Sequence, residues 1–236
     1  MTAKSVVYIC AHPDDIISVA GTLTLLRQQG FCLYDMCLTP GQRGYQPENA
    51  AAAGALNPPR MDVAARRTSE EQAACALLGA ELIMFDEMDG ELYAHRAICG
   101  QVAARLGAIK PTVVITLWAL EKPDHAAAFS IAHKALHLAG LSWTTELYMA
   151  EADPHGYNFQ PNLYVNITRV IEQKKAVAFA YTSQLGARAG EFAVERARAC
   201  GRPAWCDYAE AFATSVPLMG TRWDRPAEVG RTLLQL

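Results

Sequence analysis

YICAHPDDIISVAG, residues 8–21, begins as an apolar run that reads as a buried strand and resumes as an apolar pattern with helical spacing. Between the two halves a histidine, a proline and two aspartates fill positions 12–15. Working outward, VVYIC (6–10), FCLYDMCL (31–38), ELIMF (81–85) and TVVIT (112–116) are further short apolar runs, and segments 17–29, 61–79 and 94–108 between them carry helical spacing.

An alternation of this kind predicts a Rossmann-like, three-layer α/β/α fold with a mostly parallel sheet and right-handed crossovers. Ligands of such sheets sit outside the carboxyl ends of the strands, so the loops starting at Ala11, Thr39, Asp86 and Leu117 are where chemistry is expected. The second half is less regular. It predicts a helix over about 124–139, strands at ELYMA (146–150) and LYVNI (163–167), a helix over about 169–179, and further helix within 189–215. AAAAGALNPP (50–59) reads as a long loop able to cover part of a site, and residues 1–236 read as one domain without repeats or a linker.

Composition narrows the partner. With 51% hydrophobic and 19% charged residues and a mean hydropathy of +0.04, the chain is globular rather than disordered. A net charge of -3 with both signs interspersed argues against nucleic acid and anionic membranes, leaving a small molecule. MTAKSVVYICAHPDD lacks a signal-peptide h-region and no stretch is long enough to span a bilayer, which predicts a cytoplasmic protein. The seven cysteines contain no CxxC pair and lie mostly in apolar runs, so they are expected to be buried free thiols.

Pro13 biases His12 towards extended backbone, so His12 closes the first strand, while Asp14 and Asp15 fall where a helix begins. Taken alone, the turn is consistent with Asp15 as an N-cap and nothing more. Its place at a strand's carboxyl edge suggests more: His12 and Asp15, three apart, can converge on one ion, and Asp14 is left free to act on water. A catalytic zinc needs three N/O ligands and an open position. For the third, His125 in WALEKPDHAAAF (118–129) follows another strand end; His133 and His137, four apart, compete as a helical pair without a HExxH glutamate, and His95 and His155 read as surface residues.

These segments resemble the LmbE-like or PIG-L-type deacetylases, zinc enzymes that remove N-acetyl groups from amino sugars and their conjugates. The resemblance runs through AHPDD (11–15), TPGQRGY (39–45), RTSEEQAACALLGA (67–80), MDG (88–90), PDH (123–125), TSQ (182–184) and AEAF (209–212). It implies His12, Asp15 and His125 as zinc ligands, Asp14 as general base, and Arg67 and Asp89 at or near a substrate sugar. The implied substrate is a small N-acetylated sugar or glycoconjugate, and the family makes a homo-oligomer plausible. Four positions depart from the pattern. Lys122 stands where the family has a histidine acting on the oxyanion or leaving amine, with Asp124 near enough in sequence to orient it; Ile16 and Gln42 replace acidic residues, Gln42 in a loop that meets substrate; Tyr181 replaces a histidine. A lysine can stabilise an oxyanion but, with an ordinary pKa near 10.4, donates protons poorly at neutral pH.

Without the resemblance Arg67 and Glu70 would read as an intrahelical pair on a solvated face. Ser183 lies in no GxSxG, and the first strand is followed by no GxGxxG, which argues against a serine hydrolase and a dinucleotide. The sequence therefore predicts a zinc-dependent N-deacetylase, with an amidase or esterase for another acyl group, or a non-catalytic zinc- or sugar-binding protein, as alternatives.

Overall fold

The computed structural model describes residues 4–46, 57–152, 159–214 and 232–236. His155 and most of the 50–59 segment lie outside the described residues. A seven-stranded sheet runs in the order β3-β2-β1-β4-β5-β7-β6, with β1 Ser5–Cys10, β2 Cys32–Cys37, β3 Ala80–Met84, β4 Val113–Leu117, β5 Glu146–Ala150, β6 Leu163–Asn166 and β7 Ala209–Thr214. The first five strands are parallel, and β7 pairs antiparallel with both β5 and β6.

The helices are α1 Ala20–Gln28, α2 Met61–Leu78, α3 Arg96–Ile109, α4 Pro123–Leu138, α5 Ile171–Ala178, α6 Thr182–Leu185 and α7 Ala189–Gly201. α3 and α4 pack together on one face of the sheet, and α1, α2, α5 and α7 form the other layer. This double cover explains why β1 is buried at every position and reads as an unbroken apolar run. Among the described residues no helix is long and apolar enough to cross a membrane. All seven cysteines are free thiols; Cys10, Cys37, Cys75 and Cys99 are buried, the other three partly so.

The helix expected within 189–215 is half correct. α7 ends at Gly201, where a Cβ would meet the Cys206 carbonyl oxygen at 2.5 Å, and the chain turns back into β7. AEAFAT has the composition of a helix former, but the slot between β5 and β6 offers it two ladders of backbone hydrogen bonds, and that tertiary pairing overrides local propensity. Glu210, 3% exposed, is the charged residue in this strand. Its carboxylate accepts the amides of Gly21 and Thr22 at 2.8 and 2.7 Å, satisfying donors in the first turn of α1, and pairs with buried Lys174 at 2.6 Å.

Removing one member of such a buried pair strands the other's charge. Glu210→Ala is expected to lower unfolding stability by about 3–5 kcal/mol in urea titration, far more than removal of the exposed Arg188–Glu191 pair.

Candidate metal centre

The strand order reverses direction at β1 and β4: the chain winds from β1 out to β3, then returns to the other side of β1. Loops leaving the carboxyl ends of these two neighbours diverge and open a crevice between them. His12 lies just beyond β1, and His125 lies in the first turn of α4, whose start is set by Pro123 at its first position.

Asp15 stands between the two histidines. Its Oδ1 is 3.3 Å from His125 Nε2 and its Oδ2 is 3.7 Å from His12 Nδ1; the imidazole centroids are 5.2 Å apart. One donor atom from each residue lies within 4.8 Å of the others. Donors about 2.1 Å from a tetrahedral zinc stand about 3.4 Å from one another, so this His₂Asp set fits the ion in both chemistry and spacing. The sequence left Asp15 open as a mere N-cap. In the structure no side chain caps the short 3₁₀ turn Asp15–Val19 that follows, and Asp15 instead accepts the upstream amides of Ala11 and His12 at 3.1 and 2.8 Å.

Both histidines have outer carboxylate partners. His12 Nε2 faces Asp124 at 3.1 Å and Asp89 at 3.2 Å, and His125 Nδ1 bonds Glu121. With protons on these outer nitrogens, the inner nitrogens facing Asp15 are the ones that would present lone pairs to an ion. Glu121 is anchored in turn by the Ala152 amide at 2.7 Å. Asp124 is held by the amides of Gly90 at 2.6 Å and Leu92 at 3.2 Å, so both its oxygens are engaged; it orients His12, where the sequence suggested Lys122. Burial opposes charge on the two imidazoles, yet the carboxylates prevail: Asp124 and Asp89 lift His12 to about 9, and Asp15 and Glu121 lift His125 to about 10. Burial would likewise raise Asp15, but the two histidines and the His12 amide hold it well below the usual carboxylate range.

Asp14 adopts φ 97°, ψ -22°, left-handed backbone that costs a non-glycine residue about 1–3 kcal/mol and persists only where surroundings hold it. α2 supplies the hold. Arg67 Nη2 donates to the Pro13 carbonyl at 2.6 Å and to Asp14 Oδ1 at 3.1 Å. Gly41 and Gly44 admit the guanidinium: a Cβ on either would lie within 2.9 Å of Arg67 atoms. Desolvation raises the Asp14 pKa, and Arg67 partly offsets the rise. The carboxylate nevertheless stays 23% exposed to the crevice.

His12, Asp14, Asp15, Arg67, Asp89, Lys122, Asp124 and His125 all border one cleft of about 1070 Å³, large for a single sugar. Lys122 lies at its rim. Gln42 differs from expectation. It is 4% exposed, is not part of the cleft wall, and uses both ends of its amide on the loop beneath, donating to the Glu87 carbonyl and accepting the Asp89 amide. Its neutral side chain does what a carboxylate could do only in part, since a donor is needed. Glu70 does not pair with Arg67; it accepts the Ser183 amide and hydroxyl at 2.8 and 2.6 Å. His95 caps α3 and pairs with Glu87, and His133 stacks on Phe129. Sequence reasoning missed Glu121 and Glu71. The first was signalled by its position four before His125; nothing local signalled the second.

The model of the PIG-L (GlcNAc-PI de-N-acetylase) family matches residues 7–136, more than half the chain. The chain belongs to this family. It is 26% identical to 4-oxalmesaconate hydratase of Pseudomonas putida over 187 residues, 73% of this chain and 71% of that protein. The conserved protein TT1542 of Thermus thermophilus superposes with a TM-score of 0.74 at 28% identity, covering 95% of this chain and all of that one. The N,N'-diacetylchitobiose deacetylase of Pyrococcus horikoshii superposes at 0.76 with 22% identity, over 92% and 86% of the two chains, a likeness of fold. Relatives of this PIG-L chain thus include deacetylases and a hydratase.

Because His12 and His125 hold protons up to about pH 9 and 10 without metal, a ligating ion must displace them. Zinc binding at about pH 7 is expected to release protons and to tighten as pH rises towards those values. Calorimetry in buffers of different ionisation enthalpy counts the protons, and uptake without release would remove the histidines from the ligand set.

Proposed function

We propose that this PIG-L protein acts as a single catalytic domain that hydrolyses the acetamide of an N-acetylated amino sugar or conjugate. The observation that carries the reading is the convergence of His12, Asp15 and His125 beside Asp14, on the crevice between β1 and β4. Zinc held by these three residues would polarise the acetamide carbonyl and acidify a water. Asp14 would take that water's proton, a role supported by Arg67 at its Oδ1, by the reach of its carboxylate into the cleft and by desolvation, which strengthens it as a base. The C–N bond breaks as the proton passes to the amine nitrogen. Lys122, at the rim, brings positive charge towards the oxygen that becomes anionic, and Arg67 and Asp89 are the polar groups nearest a bound sugar.

The electrostatics favour an uncharged acetamide over a polyanion. Arg43, Arg67, Lys174 and Arg196 line the cleft, and each meets a carboxylate of the protein: Glu91, Asp14, Glu210 and Glu151 respectively. A second reading, hydration of an unsaturated carboxylate, rests on the hydratase relative and on Lys122 as a carboxylate partner at the mouth.

His125→Ala is expected to drop bound zinc from about one per chain to none by elemental analysis. Asp14→Asn should keep the metal and lose about 10²–10⁴ in turnover. The two readings part in one assay: acetate released from N-acetylglucosamine conjugates supports the first, and loss of the conjugated absorbance of an unsaturated dicarboxylate without acetate supports the second. An Asp14→Asn protein with full activity would remove Asp14 from either mechanism.

A further inference from the structure

Behind the AHPDD turn lies a wholly buried acid pair. Glu71, on α2 one turn after Arg67, and Asp35, in the middle of β2, are both fully buried, and a carboxylate oxygen of each lies within 4.8 Å of the other's. The two oxygens of Glu71 have different surroundings. Oε2 accepts the Asp14 amide at 3.0 Å and the Tyr181 hydroxyl at 2.9 Å. Oε1 meets no N–H or O–H donor among the described residues. Asp35 accepts from a thiol on each oxygen, Cys10 Sγ to Oδ1 and Cys75 Sγ to Oδ2, both at 3.6 Å.

Two carboxylates this close in the protein interior cannot both be ionised. The donors decide which one keeps the proton. Asp35, with a thiol directed at each oxygen, is the better-supported anion; a proton on Glu71 Oε1 directed at Asp35 satisfies the one oxygen otherwise left bare, and Oε2 remains a pure acceptor for Asp14 and Tyr181. The direction of the titration agrees that one proton stays on the pair: burial raises both carboxyl groups, and the neighbouring Asp35 raises Glu71 further.

We propose that Glu71, kept as a neutral acid by a proton shared with Asp35, is the positioning residue that fixes the left-handed backbone of Asp14 and thereby aims its carboxylate. Arg67 and Glu71, four apart on one face of α2, grip Asp14 from two sides, Arg67 at the side chain and the preceding carbonyl, Glu71 at the amide. Tyr181, where the family pattern has a histidine, donates the second hydrogen bond that holds Glu71 in place. A neutral Glu71 adds no negative charge behind the general base. This inference rests on the reading of Asp14 as that base.

Glutamine reproduces a protonated glutamate in shape, with one acceptor and a donor, whereas leucine removes both. Glu71→Leu is expected to lower kcat for acetate release from N-acetylglucosamine conjugates by about 10²-fold at unchanged KM and zinc content, the scale of a misplaced catalytic group. Glu71→Gln should recover most of that loss. Independently of substrate, infrared spectra of the resting zinc protein should contain a buried carboxylic-acid C=O band that Glu71→Gln removes. A band unaffected by that substitution overturns the shared proton. Equal loss of kcat in both variants, or none in Glu71→Leu, overturns the positioning role. A wild type that releases no acetate overturns the deacetylase reading and the role of Asp14 together, while the band still reports on the proton.

Discussion

The carboxylate of Asp15 ties the whole centre together. Two of its contacts run backward to the amides that end β1, and one runs across the crevice to His125 at the start of α4. Through it the ends of two neighbouring strands, more than a hundred residues apart in the chain, are held at the spacing one ion needs. The attraction between carboxylate and imidazole is strong here because Asp15 and His125 are buried and the acids that surround the two rings are themselves hydrogen-bonded. The depressed pKa of Asp15 and the raised pKa values of both histidines are two expressions of the same field.

Around that core the acids are layered. Asp15 faces the histidines from inside, and Asp89, Asp124 and Glu121 face them from outside. Without a cation, this excess of negative charge is offset by protons on His12 and His125; a divalent ion would take over that task. The outer acids are themselves held by backbone amides of Gly90, Leu92, Ala152 and Arg43, so the rings have little freedom to turn. A third layer, Glu71 with Asp35, lies behind the turn and meets it at the amide of Asp14.

α2 emerges as the platform for the AHPDD turn. Its buried face carries Arg67, which with Glu70 would read as a solvated pair without the family resemblance, and Glu71. Inside, both meet the left-handed turn: Arg67 donates to the Pro13 carbonyl and to Asp14 Oδ1, and Glu71 accepts the Asp14 amide. The glycines of the PGQRG loop belong to the same arrangement, since they alone leave room for the guanidinium.

By itself the sequence determined the parallel half of the sheet, its three-layer cover and the AHPDD turn at the end of β1, because apolar periodicity and a proline between strand and helix are local signals. It also marked His12, Asp14, Asp15, Arg67, Asp89 and His125, all of which the fold assembles at one cleft. Tertiary structure alone decided the rest. Whether AEAFAT is helix or strand depends on the slot between β5 and β6. Whether Asp124 serves Lys122 or His12 depends on where the Gly90 loop puts its amides. Whether Gln42 meets substrate or supports the Asp89 loop, and whether Glu71 is surface or core, depends on contacts 47 and 57 residues away in the chain. Those contacts set no pattern in the nearby sequence, because a hydrogen bond across such a distance constrains geometry in space and leaves residue spacing unmarked.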